Sequence, residues 1–88
     1  MEYLLFTYPN CSQCEALKKH IREKGIEAAE YNLVMKESKL KIREFLKIIK
    51  RDEKGGIVIP TLILRDQEKV VAVLNSPEEF EEWSQSRA

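Results

Sequence analysis

The side chains best suited to chemistry are Cys11 and Cys14, the chain's only cysteines, set three positions apart in Asn10-Cys11-Ser12-Gln13-Cys14. Before them runs Tyr3 to Tyr8, Tyr-Leu-Leu-Phe-Thr-Tyr, with almost no polar interruption. Such a run predicts a strand buried on both faces. After them Leu17 and Ile21 extend the apolar face begun by Cys14, which predicts a helix over residues 12–24 with Gly25 at its C-cap. Ser12 and Glu15 have the spacing of a capping box at its start. A cysteine at a helix tip meets unpaired backbone N–H groups and the positive end of the macrodipole. Both favour the thiolate, the form that attacks disulfides. Cys11 is therefore the expected nucleophile, and Cys14, one turn deeper on the same side, the expected resolving thiol.

Other uses of the pair are weaker. A structural zinc site needs four ligands, and the one further thiolate or imidazole donor is His20, six residues past Cys14 on the same predicted helix. A single chain is expected to hold no metal, whereas a metal or iron-sulfur cluster shared between two copies stays open as a non-enzymatic alternative. A small core residue suits Cys14, but not Cys11 beside Pro9, Asn10 and Ser12. His20, among Lys18, Lys19 and Arg22, reads as a surface residue rather than a general base.

The elements that must position the cysteines come from a chain of 88 residues, enough for one domain spanning 1–88 with a small core. Fifteen basic residues balance fifteen acidic ones, so a nucleic acid partner is not expected. The 43% hydrophobic content argues against disorder despite 34% charged residues. The longest apolar stretch, Ile57 to Leu64, is broken by Pro60 and Thr61 and falls short of the ~20 residues of a membrane helix. Met1-Glu2-Tyr3 lacks the basic start of a secretory signal, so a cytoplasmic protein is expected, with no membrane partner. The glycosylation sequon Asn10-Cys11-Ser12 is set aside for the same reason. The expected state is a monomer.

Ile26 to Leu33 is a second strand candidate, and strand, helix, strand implies a right-handed parallel crossover. Ile42, Phe45, Leu46 and Ile49 form one apolar stripe on a helix predicted from Glu37 to Asp52, whose lysines and arginines make a solvated face or a docking patch for an acidic partner. Gly55-Gly56 ends it. Strands at Ile57 to Leu64 and Val70 to Leu74, joined by a five-residue turn from Arg65 to Lys69, make a hairpin. Ser76 can cap a last helix that has Pro77 at its first position, Glu79 completing a capping box, and Phe80 and Trp83 facing the core. The order predicts an α/β fold, a four-stranded mixed sheet with three flanking helices. Pro60 cannot donate to a ladder. It marks either a strand edge or start, or a backbone kept open for a ligand, for which a cis Ile59-Pro60 bond is one device.

Together, Cys11-Ser12-Gln13-Cys14 after a strand and the later Ile59-Pro60-Thr61 resemble the glutaredoxin branch of the thioredoxin fold, over nearly the whole chain. The resemblance implies a thioredoxin-like architecture and a thiol-disulfide oxidoreductase with Cys11 as nucleophile and Cys14 as resolving thiol. It implies that the Ile59 main chain hydrogen-bonds the bound thiol substrate like an added strand, with Pro60 holding that loop against the cysteines. Glutathione-using members typically carry Pro-Tyr between the cysteines, a basic residue three before the first, and Gly-Gly ahead of the last helix. Here Ser12-Gln13, Tyr8 and Asn75-Ser76 hold those places. Tyr8, Gln13 and Ser76 thus join Ile59 and Pro60 as substrate-binding candidates, Ser76 with the Glu78 and Glu79 amides as a carboxylate receiver. No tightly bound cofactor is implied. The expected partners are disulfide-containing proteins, with glutathione as co-substrate or thioredoxin reductase as electron source. Gln13 before Cys14 also resembles redoxins that draw on thioredoxin reductase and reduce ribonucleotide reductase.

Overall fold

The structure is a computed structural model and describes residues 1–86. Strand β1 (Glu2–Thr7) is followed by helix α1 (Ser12–Glu23), β2 (Ala29–Asn32), α2 (Lys36–Ile42) continued by a 3-10 turn at Arg43–Phe45, then β3 (Thr61–Asp66), β4 (Lys69–Leu74) and α3 (Pro77–Ser86). The four strands form one sheet in the order β2-β1-β3-β4. β1 pairs parallel with β2 and antiparallel with β3, and β3 pairs antiparallel with β4. This is the expected α/β architecture, a mixed four-stranded sheet with three helices.

Alternation along the central strands creates two cores. Leu4, Phe6 and Ile63 point to one face, where Leu33, Ile42, Phe45 and Ile49 cover them. Leu5, Leu62 and Leu64 point to the other and meet Leu17 and Ile21 of α1 and Phe80 of α3. Both central strands are buried on both sides, which is why β1 reads as an unbroken apolar run. Aromatic pairs add shape to each core: Phe6 stacks on Tyr31 with centroids 5.1 Å apart, and Tyr3 meets Trp83 edge-on at 6.3 Å. Gly25 takes the left-handed φ of 71° that ends α1, and the Ile26 N–H reaches back to the Ile21 carbonyl at 3.2 Å.

Several boundaries differ from those predicted. The helix expected over Glu37 to Asp52 is α2 plus a 3-10 turn, although of its predicted stripe Ile42, Phe45 and Ile49 are buried and Leu46 is partly buried against them. A bridge between Arg51 and Ile57 and the Val58 N–H to Lys50 carbonyl bond need extended chain where further helical turns would lie. The loop between them is organised by Asp52, whose carboxylate accepts the Lys54 and Gly56 N–H groups at 2.9 and 2.8 Å. The strand expected from Ile57 begins at Thr61, after Pro60, and the one expected from Ile26 begins at Ala29. The five-residue turn is instead a two-residue turn, with Gln67 and Glu68 both at positive φ and Asp66 paired with Lys69. A register shift beside Leu64 and Arg65 absorbs the difference. Among the described residues no helix is long and apolar enough to cross a membrane.

Candidate active site

The register gathers the functional candidates at one end of the sheet. β1 and β2 run parallel and stop there together, and the Leu33 N–H closes the pairing on the Thr7 carbonyl at 2.8 Å. β3, antiparallel, starts there, with Thr61 opposite Phe6, and β4 ends there, with Leu74 opposite Leu62. The segments that leave these ends are Tyr8 to Cys11, Ile59-Pro60, and Asn75-Ser76 at the start of α3.

Chain direction changes between β1 and α1 at Asn10, whose φ of 57° is one that asparagine tolerates better than most residues. Cys11 follows in extended conformation as the N-cap of α1. Its sulfur accepts the Cys14 N–H at 3.1 Å, and its carbonyl accepts the first helical bond, from the Glu15 N–H at 3.2 Å. Sulfur thus occupies the place a serine or aspartate oxygen usually holds. Because Cys11 is the cap, the Ser12 and Glu15 capping box does not form, and Glu15 pairs instead with Lys18 at 2.7 Å. Cys11 and Cys14 are joined in a disulfide with Cα atoms 5.2 Å apart. Cys14 is buried at 1% exposure, while Cys11 is half-buried and Ser12 and Gln13 are exposed. The outer sulfur is the one a substrate can reach.

A cavity of about 280 Å³ opens beside Cys11, lined in part by Tyr8, Lys18 and Glu30. Glu30 accepts the hydroxyl of buried Thr7 at 2.9 Å and the Lys18 ammonium at 3.1 Å. The Lys18 ammonium is held protonated above its ordinary range, first by the hydrogen bond to Glu15, against desolvation, and then by that to Glu30. Neither cysteine's local sequence signals this group, because Thr7, Lys18 and Glu30 sit on three elements.

The Ile59-Pro60 peptide is cis. Among the described residues, the Ile59 N–H and C=O take part in no hydrogen bond. Around them the loop is tightly tied. The Thr61 hydroxyl donates to the Val58 carbonyl at 2.6 Å, and the Asn75 side-chain amide donates to the Pro60 carbonyl and to Thr61 Oγ1, both at 3.1 Å. Asn75 was not singled out by sequence reasoning as a site residue. Its signals were a polar residue directly after a strand and its place, with Ser76, where glutathione-using members carry Gly-Gly, and its partners depend on the β3/β4 register.

Ser76 lies at the same end, with its hydroxyl oxygen accepting the Glu79 N–H at 3.1 Å. The Glu79 carboxylate turns back to accept the Asn75 N–H at 2.6 Å. The structure therefore brings Cys11 and Tyr8 around one cavity, keeps Cys14 buried behind the disulfide, links Pro60 to the start of α3 through Asn75, and leaves Gln13 exposed on the first turn of α1. His20 is a bridging surface residue, its Nδ1 2.8 Å from Glu81 Oε1 on α3. Among the described residues no group of three or more histidines, cysteines or carboxylates is arranged to hold a metal ion.

Comparison with known proteins follows this geometry. The NrdH-redoxin of Escherichia coli, described as a glutaredoxin-like protein with a thioredoxin-like activity profile, superposes with a TM-score of 0.58. It is 18% identical, and the match covers 88% of this chain and 84% of that one. A malarial protein superposes with a TM-score of 0.60 at 18% identity, covering 98% of this chain and 97% of that one. At such identities the likeness is one of fold. No curated protein is significantly similar in sequence. The glutaredoxin family model matches residues 4–69, from the first buried strand through the disulfide and Pro60 to the β3/β4 turn. The chain is a member of the glutaredoxin family.

Proposed function

We propose that the protein is a small dithiol-disulfide oxidoreductase that reduces protein disulfides or glutathione mixed disulfides, with Cys11 as nucleophile and Cys14 as resolving thiol. The observation that carries this reading is the Cys11-Cys14 disulfide at the tip of α1, with the Cys14 N–H directed at Cys11 Sγ. Once the bond is open, that N–H and the helix terminus favour negative charge on the Cys11 sulfur.

The steps balance as a two-electron transfer. The Cys11 thiolate attacks one sulfur of the substrate disulfide, the other sulfur leaves as a thiolate and takes a proton, and substrate and protein are joined as a mixed disulfide. Cys14, deprotonated, then attacks Cys11 Sγ. The Cys11-Cys14 bond forms, and the second substrate sulfur leaves as a thiol. The uncommitted Ile59 main chain, held in place by Pro60 and Asn75, is suited to align the substrate's backbone with the sulfur under attack. Tyr8, 46% exposed, supplies an apolar wall beside Cys11. Two equivalents of glutathione or one protein dithiol would return the pair to the reduced state.

Replacing Cys14 by serine tests the assignment. The variant should accumulate a mixed disulfide between Cys11 and a substrate protein, seen as a mass adduct that dithiothreitol removes. A Cys14→Ser protein that turns over protein disulfide substrates at the wild-type rate would refute it. A second reading, electron transfer from thioredoxin reductase to ribonucleotide reductase, is supported by Gln13 before Cys14 and by the fold likeness to NrdH-redoxin. It is separated from the first by which system, glutathione with its reductase or thioredoxin reductase, reduces the oxidised protein.

A further inference from the structure

The two faces of the sheet carry opposite charge. Residues 36–50, which cover the face bearing Leu4 and Phe6, hold six lysines and arginines against two glutamates, a net of +4 in a chain whose formal charge is zero. On the opposite face α3 holds four glutamates and no cation. Much of the positive charge is uncommitted. Lys41 pairs with Glu44, but Lys36, Lys39, Arg43 and Lys47 form no ion pair among the described residues, whereas Lys18 and Lys24 of α1 are both paired. The same segment exposes apolar side chains, since Val34, Met35 and Leu40 are each about half exposed. Helical spacing puts Lys39 one turn from Met35, and Leu40 one turn from both Lys36 and Arg43, so cations and apolar groups alternate on one outward face. This surface starts at the reactive end of the molecule. Asn32, which lines the cavity beside Cys11 together with Tyr8, accepts the Val34 N–H on its side-chain oxygen at 3.1 Å and the Met35 N–H on its carbonyl at 2.9 Å.

Resting on the oxidoreductase reading above, we propose that α2 and the turn before it form a docking surface for protein substrates that carry acidic residues beside their disulfide. The half-exposed Val34, Met35 and Leu40 give a seated partner apolar area to bury, and the unpaired cations among them give the contact a preference of sign. Continuity with the Cys11 cavity is what favours a disulfide-bearing protein over a nucleic acid or an anionic bilayer, because a partner resting on α2 presents its neighbouring residues to the sulfur. The chemistry is that given above, the substrate disulfide being reduced to two thiols as the Cys11-Cys14 bond forms. Opposite charge on exposed groups acts mainly on encounter, so the selection appears in the rate of reaction with substrate and weakens with salt.

The test follows formation of the Cys11-Cys14 disulfide during a single turnover of the reduced full chain. The substrates are two synthetic peptide disulfides of equal length, one with glutamates and one with lysines beside the cysteine, and hydroxyethyl disulfide. Each rate is divided by that with dithiothreitol, which corrects for the intrinsic reactivity of each disulfide. Wild type should favour the acidic peptide about tenfold at low salt, a preference that shrinks as salt is raised. Lys36→Gln combined with Lys39→Gln should reduce it to about threefold or less. Arg22→Gln combined with Lys69→Gln, which removes two exposed cations from the far end of the sheet, should change it less than about twofold. Equal corrected rates for the two peptides while hydroxyethyl disulfide is still reduced would overturn the proposal, as would an equal loss in both double variants. Co-sedimentation with phosphatidylserine vesicles, or self-association at low salt, that appears in place of the peptide preference and is lost in Lys36→Gln with Lys39→Gln would give the surface to a bilayer or to a second copy, and would overturn it too. If none of the disulfides oxidises the wild type, the oxidoreductase reading itself fails, and this inference with it.

Discussion

α1 and α3 begin at the same end of the sheet and meet the same physical problem, a first turn of backbone N–H groups without helical partners. At α1 the answer is a sulfur: Cys11 caps the helix, and the capping atom is also half of the disulfide. At α3 the answer is the ordinary one, a serine hydroxyl and a returning glutamate. The difference teaches how one end of a small sheet can leave a sulfur at one helix tip, the nucleophile of the proposed reaction, and an unreactive oxygen at the other. A thiolate is stabilised by the donors it caps yet remains a nucleophile, whereas the Ser76 hydroxyl in the matching position of α3 only accepts its donor. The exposures match these roles, since Cys11 is reachable and Cys14 beneath it is buried.

The largest expected effect comes from breaking the reactive tip. Cys11→Ser keeps a capping oxygen and so should change stability by less than about 1 kcal/mol relative to the reduced wild type, while disulfide reduction falls to the uncatalysed rate. Insulin reduction and urea unfolding on the same sample separate the two, and residual turnover in the serine variant would show that the tip is not the reaction centre.

Breaking the closed tip should have the opposite profile. Ser76→Ala removes the acceptor of the Glu79 N–H and should cost about 1 kcal/mol of stability, read as a lower urea midpoint at unchanged slope, with Cys11 still readily alkylated. An alanine variant as stable as wild type would mean that Glu79 closes the helix unaided.

The smallest effect concerns the link between the two helices, where Glu81 of α3 meets His20 and Lys24 of α1. The His20 hydrogen bond, and after it that of Lys24, against desolvation, holds the Glu81 carboxyl below the usual range. A depressed carboxyl contributes stability that is present above its unfolded value, about 4.3, and is lost as pH falls through the lower folded value. Glu81→Gln should therefore be slightly less stable than wild type near pH 6, and the two melting temperatures should converge below the folded value. Both groups lie at the surface, so the gap should be small and should shrink in high salt. Parallel melting curves at all pH values would remove the pair from any role in tying the tips together.

Much of the fold was legible because its signals are local. The apolar run of β1, the Cys14, Leu17, Ile21 face of α1 and the Ser76-Pro77-Glu79 start of α3 each follow from neighbours a few residues apart. The errors fell where distant partners override local pattern. The stripe through Ile49 predicted more helix than exists, because Arg51 and Val58 engage extended chain across a loop that Asp52 organises. The two-residue turn at Gln67 and Glu68 carries no glycine or asparagine, so its left-handed backbone had no signature. Ser12 was as good a cap on paper as Cys11, and only the path of Pro9-Asn10 placed the sulfur at the tip.

The amino-acid order alone determined that two thiols lie one helical turn apart behind a buried strand, and that a proline interrupts a later apolar segment, since both rest on spacing along the chain. Which backbone groups stay open around those thiols was decided by the tertiary structure. Asn75 meets Pro60 across fifteen positions of sequence, and Lys18 and Glu30 meet across twelve, only because the register of β1, β2, β3 and β4 brings those ends together. A hydrogen bond is lost within a fraction of an ångström, so the choice between an open Ile59 and a closed α3 tip belongs to the packed sheet.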